Sequence, residues 1–132
     1  MMNQELEALA RRAVACKGWR WMAGMRVARP KVFGRVLDEG APFIVARFDG
    51  PTVDGGGLYD GLIPPDMLPD LEDPATLGCL PALLRDVWGL PDIHTVPHDD
   101  DGTVWTVEHA GGPLTMPLPF EAALISALES AP

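Results

Sequence analysis

The chain has few serine and cysteine side chains that could act as nucleophiles. Its only serines, Ser126 and Ser130, lie in a C-terminal segment with helical spacing. Its two cysteines, Cys16 and Cys79, also stand in segments that read as helices. A nucleophilic serine needs a sharp strand-to-helix turn, and a reactive cysteine needs an exposed site that stabilises its thiolate. We therefore identify no catalytic residue, and the sequence does not support an enzyme.

Motifs for metals and cofactors are also missing. There is no Cys-x-x-Cys, no HExxH, no phosphate loop with its lysine and no dinucleotide fingerprint. The glycines at 55–57 lack a following Gly-Lys-Ser/Thr, and their neighbours are acidic. The acids at 99–101 lack the alternating spacing of a calcium loop. We expect no cofactor and no metal.

Long apolar runs are absent. No run approaches the roughly 18 residues of a membrane span, and the N-terminal segment has acids where a signal peptide would have basic and then apolar residues. We therefore expect a cytoplasmic protein without membrane contact. In that reducing compartment a disulfide between the distant Cys16 and Cys79 is not expected.

Basic residues are scarce after the first quarter of the chain. Residues 1–37 hold eight of the ten basic side chains against two acids, a net charge of +6, whereas residues 38–132 hold two against 17 acids, a net charge of −15. Such a division indicates either that the two parts dock on each other or that the molecule presents separate basic and acidic faces to partners.

The best-defined element is the segment 68–91. Asp73 is a favourable N-cap, Pro74 suits the first helical position, and Gly89 supplies a helix end. Between these signals the apolar residues follow helical spacing, which predicts a helix over 74–88. Pro81 conflicts with this pattern, because a proline inside a helix removes a hydrogen bond. We expect it to kink the helix or to split it near Gly78.

The remaining periodicities predict a single α+β domain over 1–132. Its predicted elements are a helix over 4–16, a hairpin over about 31–48, a Gly-rich loop over 51–61, a hairpin over about 93–109 and a helix over 119–129. With so many short β-rich runs, we expect one small antiparallel sheet of four to six strands, with three helices packed mainly on one face.

The second hairpin contains all three histidines. A turn over 99–102 would place His94 opposite Val107, and His94, His98 and His109 would then share one face. That face also carries Val96, Trp105 and Val107, which is typical of a core with polar residues at its rim. A metal site is therefore not expected there.

Two tryptophans lie close together in the segment 18–27. In an extended chain Trp19 and Trp21 face the same way, which most often indicates core packing. The alternative is an aromatic platform that stacks a base while Arg20 and Arg26 bind its phosphate. These four residues are the candidate ligand-binding site, and an anionic nucleotide is the candidate ligand.

Three stretches, GWRWMAGM, LPDLEDPATLGCL and EAALISALESAP, resemble small uncharacterised proteins encoded in bacteriophage and prophage genomes. In that pattern a proline usually stands at Ala23, and an apolar residue at Pro81. The family has no assigned activity, so the resemblance implies no site residues. It implies a viral accessory context, in which small acidic proteins often bind host machinery in the cytoplasm of the host cell.

Together these observations favour a non-enzymatic accessory protein that binds and modulates a host protein. Its acidic surface would compete for a nucleic-acid-binding site, as an anti-defence protein would. The candidate acids of this surface are Asp54, Asp60, Asp99, Asp100 and Asp101.

Two other functions are kept as alternatives. One is a binding protein for a small anionic nucleotide; the other is a virion or assembly component, which would form homo-oligomers. Direct DNA binding is not expected at a net charge of −9.

Overall fold

The computed structural model describes residues 4–29, 33–38, 43–49, 57–62 and 67–132. Within these residues the fold is α+β, as expected. Its helices are α1 (Gln4–Ala15), α2 (Pro74–Trp88) and α3 (Phe120–Glu129). Its strands are β1 (Arg26–Arg29), β2 (Phe33–Asp38), β3 (Phe43–Asp49), β4 (Gly57–Leu62), β5 (Leu68–Pro69), β6 (His94–Pro97), β7 (Trp105–His109) and β8 (Gly112–Pro113).

These strands form two antiparallel sheets rather than the single sheet expected. The larger has the order β4-β3-β2-β1-β5, and the smaller has the order β6-β7-β8. The predicted first hairpin corresponds to β2 and β3, which pair from Phe33 opposite Asp49. The Gly-rich loop was predicted too long: residues 57–61 belong to β4, which pairs with β3, and 51–56 lie outside the described residues. Because β3 supplies a partner, the glycine-containing segment can complete its backbone hydrogen bonds as a strand.

Helix α2 has the predicted bounds and caps. The Asp73 carboxylate accepts from the Thr76 N–H at 3.0 Å, and Gly89 is left-handed with φ 67°. The expected split near Gly78 is wrong, since one helix runs through Pro81. Leu80, Leu83 and Leu84 are buried around the proline, so tertiary packing of this face stabilises the helix despite the missing hydrogen bond.

The second hairpin is shifted by one residue from the predicted register. His94 lies opposite Glu108, not Val107. The cause is the turn: the His98 N–H donates to the Val104 carbonyl, which closes a five-residue loop over 99–103 instead of the predicted four. A shift of one residue moves every side chain of a strand to the other face relative to its partner. His109 is therefore on the face opposite to His94 and His98, and the prediction that the three histidines share a face is wrong.

The core lies where the three helices meet both sheets. Helix α3 contacts α1, α2 and β7, and its buried residues are Ala123, Leu124, Ile125, Ala127 and Leu128. A hydrogen bond of 2.9 Å from the Trp88 indole to the Ala127 carbonyl joins α2 to α3. The hairpin β6–β7 is thereby anchored to the helices through α3.

None of the helices in the described part of the chain has both the length and the apolar character that a membrane crossing requires.

The chain passes very close to α2 at Gly18. A Cβ added there would lie 2.6 Å from Cγ1 and 3.0 Å from Cγ2 of Val87. Because both methyl groups are too close, turning the valine side chain would not relieve the contact. We expect Gly18→Ala to destabilise the protein by about 1–3 kcal/mol through overpacking. Because Val87→Ala removes the clash, G18A/V87A should be more stable than the sum of the two single effects implies. Urea denaturation of the three variants measures this coupling, and strict additivity would contradict the contact.

Candidate functional site

The basic N-terminal part of the chain is paired with acids from the remainder. Four arginines on different elements form ion pairs with partners more than thirty residues away: Arg12 with Glu129, Arg20 with Asp86, Arg26 with Asp70 at 3.8 Å, and Arg35 with Asp73 at 2.9 Å. Exposed pairs such as Arg12–Glu129 and Arg20–Asp86 each contribute little to stability, about 0–1 kcal/mol, so the four pairs matter mainly for the balance of charge. Together they support the docking interpretation of the charge division, because the excess positive charge is largely matched within the fold.

The pair at Asp73 is the most elaborate of the four. Its carboxylate accepts two hydrogen bonds from Arg35, at 2.9 and 3.1 Å, and two from Thr76, at 3.0 and 3.1 Å. The Thr76 hydroxyl, fully buried, accepts in turn from the Arg26 N–H at 2.8 Å. The bonds from Arg35, followed by those from Thr76, lower the pKa of Asp73 below its usual value. This network fixes α2 to β1 and β2.

The sequence around the β6–β7 hairpin contains acids but no lysine or arginine. Residues 86–132 contain no lysine or arginine and eight acids, of which Asp86 and Glu129 form the pairs above. Three of the other six follow one another in the turn after β6, as Asp99, Asp100 and Asp101, and Glu108 lies in β7. We refer to Asp99, Asp100 and Asp101 as the acidic turn.

The acidic turn is held in one conformation by its first residue. The Asp99 carboxylate accepts from the N–H groups of Thr103 at 2.8 Å and Val104 at 3.3 Å, and from the Thr103 hydroxyl. The Thr103 hydroxyl, as the strongest of these influences, lowers the pKa of Asp99. Gly102 completes the turn with φ 68°. Asp100 and Asp101 are exposed, so two carboxylates project from a preorganised turn.

The structure brings together three of the five acids that were predicted to form one surface. The turn brings Asp99, Asp100 and Asp101 together. The backbone of Asp60 lies in β4 opposite Val45, in the other sheet. Asp54 lies outside the described residues. A single surface including all five therefore stays a prediction, whereas the acidic turn is a defined structural feature.

A chain of hydrogen bonds crosses the hairpin face that carries His98. The Thr106 hydroxyl lies 2.8 Å from His98 Nε2 and 2.6 Å from Glu108 Oε2. A carboxylate only accepts hydrogen bonds, so the Thr106 hydroxyl donates its hydrogen to Glu108. The hydroxyl oxygen then accepts from the N–H of His98 Nε2. Glu108 Oε2 lies 3.6 Å from the same Nε2 atom rather than beside the opposite ring nitrogen, where the carboxylate of a catalytic triad binds, and Thr106 is buried. Across the described residues no group of three or more His, Cys, Asp and Glu is placed to hold a metal.

Of the two tryptophans predicted to stack a nucleotide base, Trp21 is buried and Trp19 is half-buried. Trp21 is 1% exposed and packs edge to face against Trp19, with 5.5 Å between ring centroids. A ring buried to this extent has no face on which a base could stack, so Trp21 is a core residue. Trp19 is half-buried, and Arg20 and Arg26 pair with Asp86 and Asp70. Nucleotide binding by the remaining residues stays a prediction.

A separate cleft of about 600 Å³ lies where the C-terminal ends of α1 and α3 approach α2. Its walls include Arg12, Cys16, Lys17, Val87 and Glu129. The Arg12 guanidinium is already bound to Glu129 through two nitrogens. Burial is the main cause of a raised pKa at Cys16, whose thiol donates to the Arg12 carbonyl. A protonated, hydrogen-bonded thiol is a poor nucleophile, so the cleft offers binding space without evident chemistry.

The chain matches no family model, no curated protein and no solved structure. Residue roles therefore rest on this structure alone.

Sequence reasoning missed the series of hydrogen bonds from His98 through Thr106 to Glu108, because the register error separated these side chains. Strand spacing alone does place Thr106 and Glu108 on one face, and this was the available signal.

Proposed function

We propose that this protein is a non-enzymatic binding protein that uses the acidic turn to engage a basic surface of a partner protein. The observation that carries the proposal is the distribution of charge. Four arginines of the basic part are matched by acids within the fold, while the acidic turn projects from a hairpin with no lysine or arginine. In the context expected from the resemblance, the partner is a host protein whose basic surface binds nucleic acid.

The shape of the turn supports such a role. Because Asp99 holds the loop through three hydrogen bonds, Asp100 and Asp101 need little further ordering when they meet a partner, and preorganisation reduces the free-energy cost of binding. Charge complementarity at exposed positions mainly accelerates association and excludes partners of the wrong sign. The interaction should therefore weaken as the salt concentration rises.

The experiment is capture from host-cell lysate by immobilised protein at low and high salt, read by quantitative mass spectrometry. The test variant is D100N/D101N, which leaves Asp99 and the turn intact. The control variant is E5Q/E72Q, which makes the same change in net charge at exposed acids elsewhere. We expect the main partner to be recovered about tenfold less with D100N/D101N and undiminished with E5Q/E72Q. Equal recovery with both variants would contradict the proposal.

A further inference from the structure

An uncharged segment lies beside the acidic turn. Residues 113–120, PLTMPLPF, contain no charged side chain. Backbone hydrogen bonds hold them along β7: Leu114 donates to Val107 at 2.7 Å, and Trp105 and Leu118 exchange bonds of 2.7 and 2.9 Å. Between these attachments Met116 is 71% exposed. We refer to residues 113–120 as the apolar ribbon.

Trp105 connects the apolar ribbon to the acidic turn. Its indole N–H donates to the Gly102 carbonyl at 2.6 Å, and its ring packs edge to face against Phe120 with 5.0 Å between centroids. The tryptophan thus contacts the end of the turn on one side and the end of the ribbon on the other. Trp105 therefore joins the acidic turn to the ribbon that carries the exposed Met116.

We propose that the acidic turn and the apolar ribbon form one docking surface for a basic amphipathic helix of a partner protein. This inference rests on the proposed function and adds the class of partner. The charge complementarity is clear, since the hairpin and the ribbon contain no lysine or arginine. A methionine such as Met116 adapts to differently shaped apolar side chains. Pro117 and Pro119 lack the N–H groups that an added strand would need, so recognition through side chains of a helix is favoured over strand pairing.

The test is an NMR titration of the ¹⁵N-labelled full chain with an 18-residue peptide of leucine and lysine, in which the leucines follow the i, i+3, i+4 spacing of one helix face. A scrambled peptide of the same composition is the matched probe. We expect the amphipathic peptide to shift the amides of 99–105, the amides of the five non-proline residues of 113–120 and the indole signal of Trp105. The scrambled peptide should bind about tenfold more weakly. Equal binding of the two peptides would overturn the inference.

Two variants separate this inference from the proposed function. Met116→Ser should weaken peptide binding by about tenfold, whereas Leu37→Ser, at a 52% exposed side chain of β2, should leave it within about twofold. If D100N/D101N weakens binding and M116S does not, the ribbon has no part and the inference fails while the proposed function stands. If the shifts fall outside both segments, the docking surface is wrong, and lysate capture decides the proposed function independently.

Discussion

Replacing Trp21 by alanine should destabilise the protein by about 3–5 kcal/mol, the range for deleting a large aromatic side chain from a core. The ring is 1% exposed and belongs to the main hydrophobic cluster. A domain of this size has a total stability of about 5–15 kcal/mol, so Trp21→Ala removes a large part of it. Chemical denaturation monitored by far-ultraviolet circular dichroism provides the measurement.

The neighbouring tryptophan provides the control. Trp19 is only half-buried, so Trp19→Ala should cost clearly less than Trp21→Ala. If Trp21→Ala unfolds the protein entirely, Trp21→Phe gives a measurable intermediate loss, because the phenyl ring retains part of the apolar contact. A ligand platform would behave differently. Its removal would change stability by less than about 0.5 kcal/mol, and that outcome would contradict a structural role for Trp21.

Replacing Asp73 by alanine should cost about 2–4 kcal/mol. The substitution removes the N-cap of α2, worth about 0.5–2 kcal/mol. It also takes an acceptor from the buried hydroxyl of Thr76, and an unpaired buried polar group costs about 1–3 kcal/mol. Asp73→Asn retains an N-cap side chain and should cost less. Asp86→Ala breaks the more exposed pair with Arg20 and should cost no more than about 1 kcal/mol. Urea denaturation ranks the three variants; equal losses for D73A and D86A would contradict the network.

The same network predicts the response to acid. Because the folded state lowers the pKa of Asp73, its carboxylate contributes stability above the ordinary aspartate pKa, about 3.9, and loses that contribution as the pH falls through the folded value. The free energy of unfolding of the wild type should therefore fall more steeply below about pH 4 than that of D73N. Parallel curves for the two proteins would show that the pairing with Arg35 does not stabilise the fold.

Local signals in the sequence were sufficient for the helices. The bounds of α2 follow from Asp73, Pro74 and Gly89, since capping depends on residues that are adjacent in the chain. Register was not predictable to the same degree. The five-residue turn depends on the side chain of Asp99 bonding to Thr103 and Val104, and spacing alone does not distinguish it from a four-residue turn. An error of one residue then misplaced His109.

The parts of the candidate site that depend on contacts between residues distant in the sequence could not be predicted. The uneven distribution of charge was visible in composition, but which acid meets which arginine depends on the tertiary fold, as for Arg12 and Glu129. The acidic turn could be recognised from three consecutive aspartates. Its proximity to residues 113–120 could not, because it depends on Trp105 bonding to Gly102 and pairing with Leu118.

If the proposed function is right, the acidic turn is the most negative patch that the molecule presents to a charged surface. Anion-exchange chromatography tests this directly, because retention depends on the most negative patch that contacts the resin and on the local field around it. D100N/D101N and E5Q/E72Q have the same net charge. We predict that D100N/D101N elutes at distinctly lower salt than E5Q/E72Q. Elution of both variants at the same salt concentration would contradict the account.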